Sequence, residues 1–238
     1  MKSVRFLTVL ASAAAILLAA PKAKADSYSF GTLNVTIWNG TYASGVTDTA
    51  TLADQPTISA IGTYTYTGPL DFVNDNGELS TGANNTFGDF FNSNGNTNYA
   101  SDLTEVSGAS VSSLLTDVMS SEGETGSAIN TYMEFTGGMI AGETVTLSSD
   151  DGSSLYVNGS PVISMPGPQS QTTESAMLPS GSNPFTLVYV ESNGAPAVLQ
   201  MSTVTPEPTS LLLLGTGLLG LALVLSRKAR QKPGFMAH

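Results

Sequence analysis

The stretch from Gly142 to Ile163, GETVTLSSDDGSSLYVNGSPVI, restricts the fold more than any other part of the chain. Apolar and polar residues alternate through Val145 and Leu147, and again through Leu155 and Val157. Asp150-Asp151-Gly152 and Asn158-Gly159 interrupt these runs. Period-two segments bounded by turn residues predict strands, here a three-stranded meander. Comparable runs predict further strands, giving 33–38, 57–66, 131–135, 144–149, 154–157, 161–164, 174–178, 185–191 and 197–204 in all. Residues 26–205 are enough for one β-sandwich. Two facing antiparallel sheets would bury the alternating Leu, Val, Ile and Tyr and leave a Ser/Thr face wet. One exception to the all-β reading is the helical spacing of Val111, Leu114, Leu115 and Val118, with Ser110 as N-cap. It predicts one short helix of about three turns, plugging the sandwich.

Charge is distributed as informatively as hydrophobicity. All eight Lys and Arg lie near the ends, at Lys2, Arg5, Lys22, Lys24, Arg227, Lys228, Arg230 and Lys232. Of the nineteen acids, eighteen fall between Asp26 and Thr205, where no basic side chain balances them. Such a body repels nucleic acid and attracts cations, which excludes a DNA- or RNA-binding role. The only histidine is His238, and cysteine is absent. A Ser-His-Asp triad, a Cys nucleophile, a Cys/His zinc site and a lysine Schiff base are therefore impossible in the body. Nor do disulfides staple it. Carboxylate-only glycosidase chemistry survives this elimination, but no particular pair of acids signals it, and the expectation is a non-enzyme.

Asp150-Asp151 admits two readings. One is a turn, since Asp and Gly accept the positive φ of tight turns. The other is a hard-cation site. Neighbouring carboxylates repel, raising a pKa, and a Ca²⁺ ion with roughly six to eight oxygen ligands would relieve the conflict. Consecutive side chains of an extended strand point to opposite faces, so joint ligation requires a departure from extended geometry between them. A second oxygen-rich loop, Asp71, Asn74, Asp75, Asn76 and Glu78, reads as solvated, because its spacing does not match an EF-hand. Trp38 reads as core, and Tyr64, Tyr66, Tyr99 and Tyr156 are candidates for stacking on a ligand.

The strings Phe135-Thr136-Gly137, Ser149-Asp150-Asp151-Gly152-Ser153, Leu155-Tyr156-Val157-Asn158-Gly159, Leu178-Pro179-Ser180-Gly181 and Leu187-Val188-Tyr189 resemble the second half of the PA-fourteen β-sandwich family. Leu33 to Tyr42 is similar to that family's opening strand. The resemblance implies a PA-fourteen-like sandwich. In the family's sugar-binding adhesin branch, paired aspartates hold Ca²⁺ through a cis peptide and a later Asn completes the site. Carried onto this chain, it implies Asp150, Asp151 and Asn193 as Ca²⁺ ligands, with carbohydrate or exopolysaccharide as the partner.

Both ends carry targeting signals. Lys2 and Arg5, an apolar run from Phe6 to Ala20 and the small-x-small Ala23-Lys24-Ala25 predict a signal peptide over 1–25, cleaved after Ala25. At the other end Pro206-Glu207-Pro208 precedes an apolar stretch, read as a transmembrane helix over 210–226, then basic residues to Lys232 and a tail over 233–238. Basic residues beyond the helix stay cytoplasmic, and a cleaved signal puts the body outside, so both ends agree on topology. The segment 206–232 resembles the PEP-CTERM sorting signal. That resemblance implies an exosortase-type membrane transpeptidase acting at Pro206-Glu207-Pro208, a transient membrane intermediate, and delivery to the cell surface or an extracellular matrix. A non-binding structural component of that matrix is the alternative to an adhesion module.

Overall fold

Alternation of apolar and polar residues sets the strands of the computed structural model, which describes residues 30–74, 85–93, 97–121, 128–141, 144–204 and 209–230. Among these, thirteen strands run in chain order. They are β1 (Leu33–Thr41), β2 (Gly62–Tyr66), β3 (Asp71–Asn74), β4 (Asn85–Thr86), β5 (Leu103–Gly108), β6 (Val118–Ser120), β7 (Ile129–Ala141), β8 (Thr144–Asp150), β9 (Gly152–Val157), β10 (Ser160–Met165), β11 (Thr172–Met177), β12 (Ser182–Glu191) and β13 (Ala197–Val204). Seven pair in the order β10-β9-β12-β7-β1-β2-β5, four in the order β11-β8-β13-β3, and β4 pairs with β6. Every strand pair is antiparallel. The all-β, antiparallel expectation holds.

The main core lies between the two large sheets. Leu33, Val35 and Ile37 of β1, Phe135 of β7, Leu155 and Val157 of β9, and Leu187 and Tyr189 of β12 face Phe72 of β3, Val145 and Leu147 of β8, and Leu199 and Met201 of β13. Each set is spaced by two, as one face of a strand requires. Phe72 is the aromatic centre, with ring centroids 4.9 Å from Phe90, 5.1 Å from Phe91, 5.4 Å from Tyr66 and 5.7 Å from Tyr99. The opposite face of the seven-stranded sheet carries a second cluster. There Trp38, Tyr132, Val188 and Val190 are covered by Val46 and Ala50 from the segment between β1 and β2. Trp38 is core, as its sequence context suggests, and its indole N–H donates to the Ile58 carbonyl at 3.2 Å. The outer face of the four-stranded sheet is hydroxyl-rich, with Thr146 and Ser175 2.9 Å apart and Thr173 donating to Ser148 at 3.0 Å.

Several expectations are corrected. The stretch 144–165 is no meander: β9 and β10 form a hairpin, but β8 lies in the other sheet. The chain crosses between sheets at Asp150-Asp151. The strand expected over 57–66 begins only at Gly62, because 57–61 lies over the outer face, with Ile58 and Ala60 packed there. The helix expected over three turns is a single turn, Val111–Leu114, capped by Ser110, whose hydroxyl accepts from the Ser113 N–H at 3.2 Å. Val118 has already joined β6. It does plug the core, through buried Leu114. A second short helix, Phe87–Phe91, is closed by a capping box between Thr86 and Asp89 and delivers Phe87, Phe90 and Phe91 to the core. Of the four tyrosines proposed for stacking, Tyr64, Tyr66 and Tyr99 are buried; only Tyr156 is partly open.

A helix spans Thr209–Arg230, where the sequence predicts one over 210–226. Among the described residues no helix is long and apolar enough to cross a membrane; the side chains of Leu211 to Leu214 lie outside that description. Ala25, Pro206, Glu207 and Pro208, and Asp75, Asn76 and Glu78, likewise lie outside the described residues.

Candidate functional site

The crossover brings three loops together. Asp150 ends β8, Gly152 begins β9, and the Asp150–Asp151 peptide is cis. Packed against this tip are the segment after β10, from Pro166 to Gln171, and the segment after β12, from Ser192 to Pro196. Gly152 has no left-handed φ, so it is not there for a turn. A Cβ at this position would collide with the Pro166 carbonyl; the glycine is what lets the loop after β10 approach the tip. By contrast, Asn158 (φ 53°) and Gly159 (φ 77°) form the tight β9–β10 turn that the sequence predicts.

Asp151 is the more firmly held of the pair. Its Oδ2 accepts from the Ser192 N–H at 3.0 Å and the Ser192 hydroxyl at 2.8 Å, and its Oδ1 accepts from the Gln169 N–H at 3.3 Å. The Asn193 side chain also hydrogen-bonds to it. Asp150 receives the Gln171 backbone N–H. Both carboxylates are buried, Asp150 8 % and Asp151 4 % exposed. The Asp150 carboxyl is pushed up to about 6, chiefly by burial and secondly by the neighbouring Asp151 charge, with the Gln171 bond opposing both. Asp151 is also raised by burial, against the pull of Ser192, Gln169 and Asn193.

The structure thus brings Asn193 to Asp150 and Asp151, although its neighbour Ser192 lies 41 residues from Asp151 in sequence. Two buried carboxylates in a body without Lys, Arg or His must be neutralised by a proton or by a cation from solution. The donors are all oxygens: two carboxylates, an amide carbonyl and nearby hydroxyls. That set suits a hard divalent cation such as Ca²⁺ rather than a softer transition metal. Among the described residues no group of three or more His, Cys, Asp or Glu side chains is arranged around one metal position, so an ion here would draw on Asn193, backbone and water to complete its shell. Sequence reasoning missed Gln169, Gln171 and Ser192, which orient the carboxylates. Ser192 adjoins Asn193, but nothing in local sequence ties 169–171 to the tip.

Comparison with known proteins adds two findings. The PEP-CTERM protein-sorting motif matches residues 204–228. No curated protein matches the chain. Among solved structures, the chain is similar to a PA14 sugar-binding domain from an RTX adhesin (18 % identity, 72 % of this chain and 88 % of that one, TM-score 0.44). It is also similar to the PA14 domain of the MpAFP antifreeze protein (16 % identity, 79 % and 90 %, TM-score 0.42). A third similarity is to a GH31 alpha-xylosidase of Xanthomonas citri (11 % identity, 75 % of this chain and 14 % of that one, TM-score 0.32). The chain carries a PEP-CTERM protein-sorting motif at residues 204–228, C-terminal to an antiparallel all-β body.

Proposed function

We propose that this protein is an exported adhesion module that holds Ca²⁺ at Asp150-Asp151 and uses the ion to grip carbohydrate. One observation carries the reading: two adjacent buried carboxylates, joined by Asn193, in a body that offers them no cationic partner. Asp150, Asp151 and Asn193 would supply protein oxygens, and water the rest. A bound Ca²⁺ accepts a pair of sugar hydroxyls in place of two waters, which lets an acidic surface hold a neutral ligand. The body's own contribution is to bury and orient the carboxylates through Ser192, Gln169 and Gln171. The RTX adhesin domain, described as sugar-binding, supports the direction of this reading. The proposed role is binding rather than turnover.

The sorting motif supports delivery. Recognition at Pro206-Glu207-Pro208 by an exosortase-type transpeptidase would follow membrane transit through the helix over 210–226, and would release the body at the cell surface or into an exopolysaccharide matrix. A glycan array probed with the exported protein, with and without EDTA, tests the binding role. Chelator-sensitive binding supports it. A flat array from a protein that still takes up Ca²⁺ assigns the ion an architectural role in a structural matrix component.

A further inference from the structure

The tip is held from behind as well as from its rim. The Tyr189 hydroxyl lies 2.5 Å from the Asp150 carbonyl oxygen and 2.8 Å from Glu191 Oε2, and the Ser120 hydroxyl lies 3.1 Å from Glu191 Oε1. Tyr189, Glu191 and Ser120 are all fully buried. A phenol has one proton, and a peptide carbonyl can only accept. The Tyr189 proton therefore goes to Asp150, and the contact with Glu191 requires a proton on the carboxyl side. No basic residue of the body could balance an anion there. The resulting chain runs from the Ser120 hydroxyl to Glu191 Oε1, then from the Glu191 carboxyl proton to the phenol oxygen, then from the phenol proton to the Asp150 carbonyl.

The far end of this chain is anchored. Ser120 sits opposite Asn85 in the β4–β6 pair. Phe90, from the helix capped by Thr86, stacks on the Tyr189 ring with centroids 5.6 Å apart and planes 11° apart. Pinning the Asp150 carbonyl inward fixes the peptide plane from which both aspartate side chains spring. We propose that Tyr189 and Glu191 are positioning residues for the cation site, orienting Asp150 and Asp151 without touching the ion. This inference rests on the reading of Asp150-Asp151 as a Ca²⁺ site.

Calorimetric Ca²⁺ titration of the full chain in detergent micelles tests it, using four variants beside the wild type. Tyr189→Phe and Glu191→Leu should each weaken the Kd about tenfold, the usual scale for losing a group that orients a metal ligand. Glu191→Gln should restore wild-type affinity, because the amide N–H donates to the phenol oxygen and the amide oxygen accepts from Ser120. Tyr64→Phe is the control. It loses a similar buried bond, from its hydroxyl to the Ala109 carbonyl at 2.9 Å, beside Glu105 and Asp117 rather than the tip, and should keep the wild-type Kd. Unchanged affinity in Tyr189→Phe, or equal weakening in Tyr64→Phe, overturns the positioning role while leaving the Ca²⁺ site standing. Absence of binding heat in the wild type overturns both.

Discussion

Replacing Asp150 with Asn should stabilise the metal-free protein at pH 7.5 while abolishing its response to Ca²⁺. Asp150 sits at about 6 against an ordinary 3.8, chiefly through burial and secondly through the Asp151 charge. A group raised in this way contributes stability that is fully present below its unfolded value and is lost as the pH rises through about 6. At pH 7.5 the wild type therefore carries the cost. The gap corresponds to at most about 3 kcal/mol. Asp150 keeps a small exposure of 8 %, and screening through it reduces the figure to about 1–2 kcal/mol. Asn keeps an oxygen for the Gln171 N–H and carries no charge. For a body of this length the gain amounts to a rise of about 2–8 °C in Tm. Thermal melts in EDTA at pH 7.5 and 4.5 provide the assay. The gain should shrink at pH 4.5, where wild-type Asp150 is itself protonated. With millimolar Ca²⁺ at pH 7.5 the order should reverse, because only the wild type binds the ion. A variant less stable than wild type at pH 7.5, or a gain equal at both pH values, would refute the electrostatic reasoning.

Other perturbations probe the framework of the site. Gly152→Ala should push the loop at Pro166 off the tip, since the added methyl meets the Pro166 carbonyl, and the Ca²⁺-induced rise in Tm should fall by half or more. Phe72→Ala removes the ring on which Phe90, Phe91, Tyr66 and Tyr99 converge; urea denaturation should record a loss of about 3–5 kcal/mol. Thr86→Ala breaks the capping box with Asp89 and should cost about 1 kcal/mol in the same assay. Intact-mass analysis of protein recovered from an exporting host should find a chain ending at or near Pro208; Arg230 still attached would count against processing.

Periodicity made most strands legible, because alternation records which residues face a sheet's buried side. It does not record which sheet. β8 and β9 carry the same alternation whether they form a hairpin or part company, so the crossover at Asp150-Asp151 was invisible locally, and Asp-Asp-Gly looked like a turn. The structural reason for Gly152, a backbone 14 residues away pressed against it, is a tertiary fact. The same holds for Phe87, Phe90 and Phe91, which lie in a five-residue helix too short to establish a period. Tyr64 and Tyr66 show the converse limit: tyrosine suits a sugar platform and a core equally, and their positions on β2 put them inside. Asp150 and Asp151 were singled out by their own adjacency, and Asn193 by family resemblance. Glu191 gave no signal, since an acid in a strand ordinarily faces water; its burial follows from its place behind the crossover.

A crystal soaked in millimolar Ca²⁺ and measured for anomalous scattering tests the central claim most directly. The account predicts a peak at the tip with carboxylate oxygens of Asp150 and Asp151 and the Asn193 amide oxygen at about 2.3–2.6 Å. Featureless density there, with both aspartates left to protons and to Ser192, Gln169 and Gln171, would contradict it.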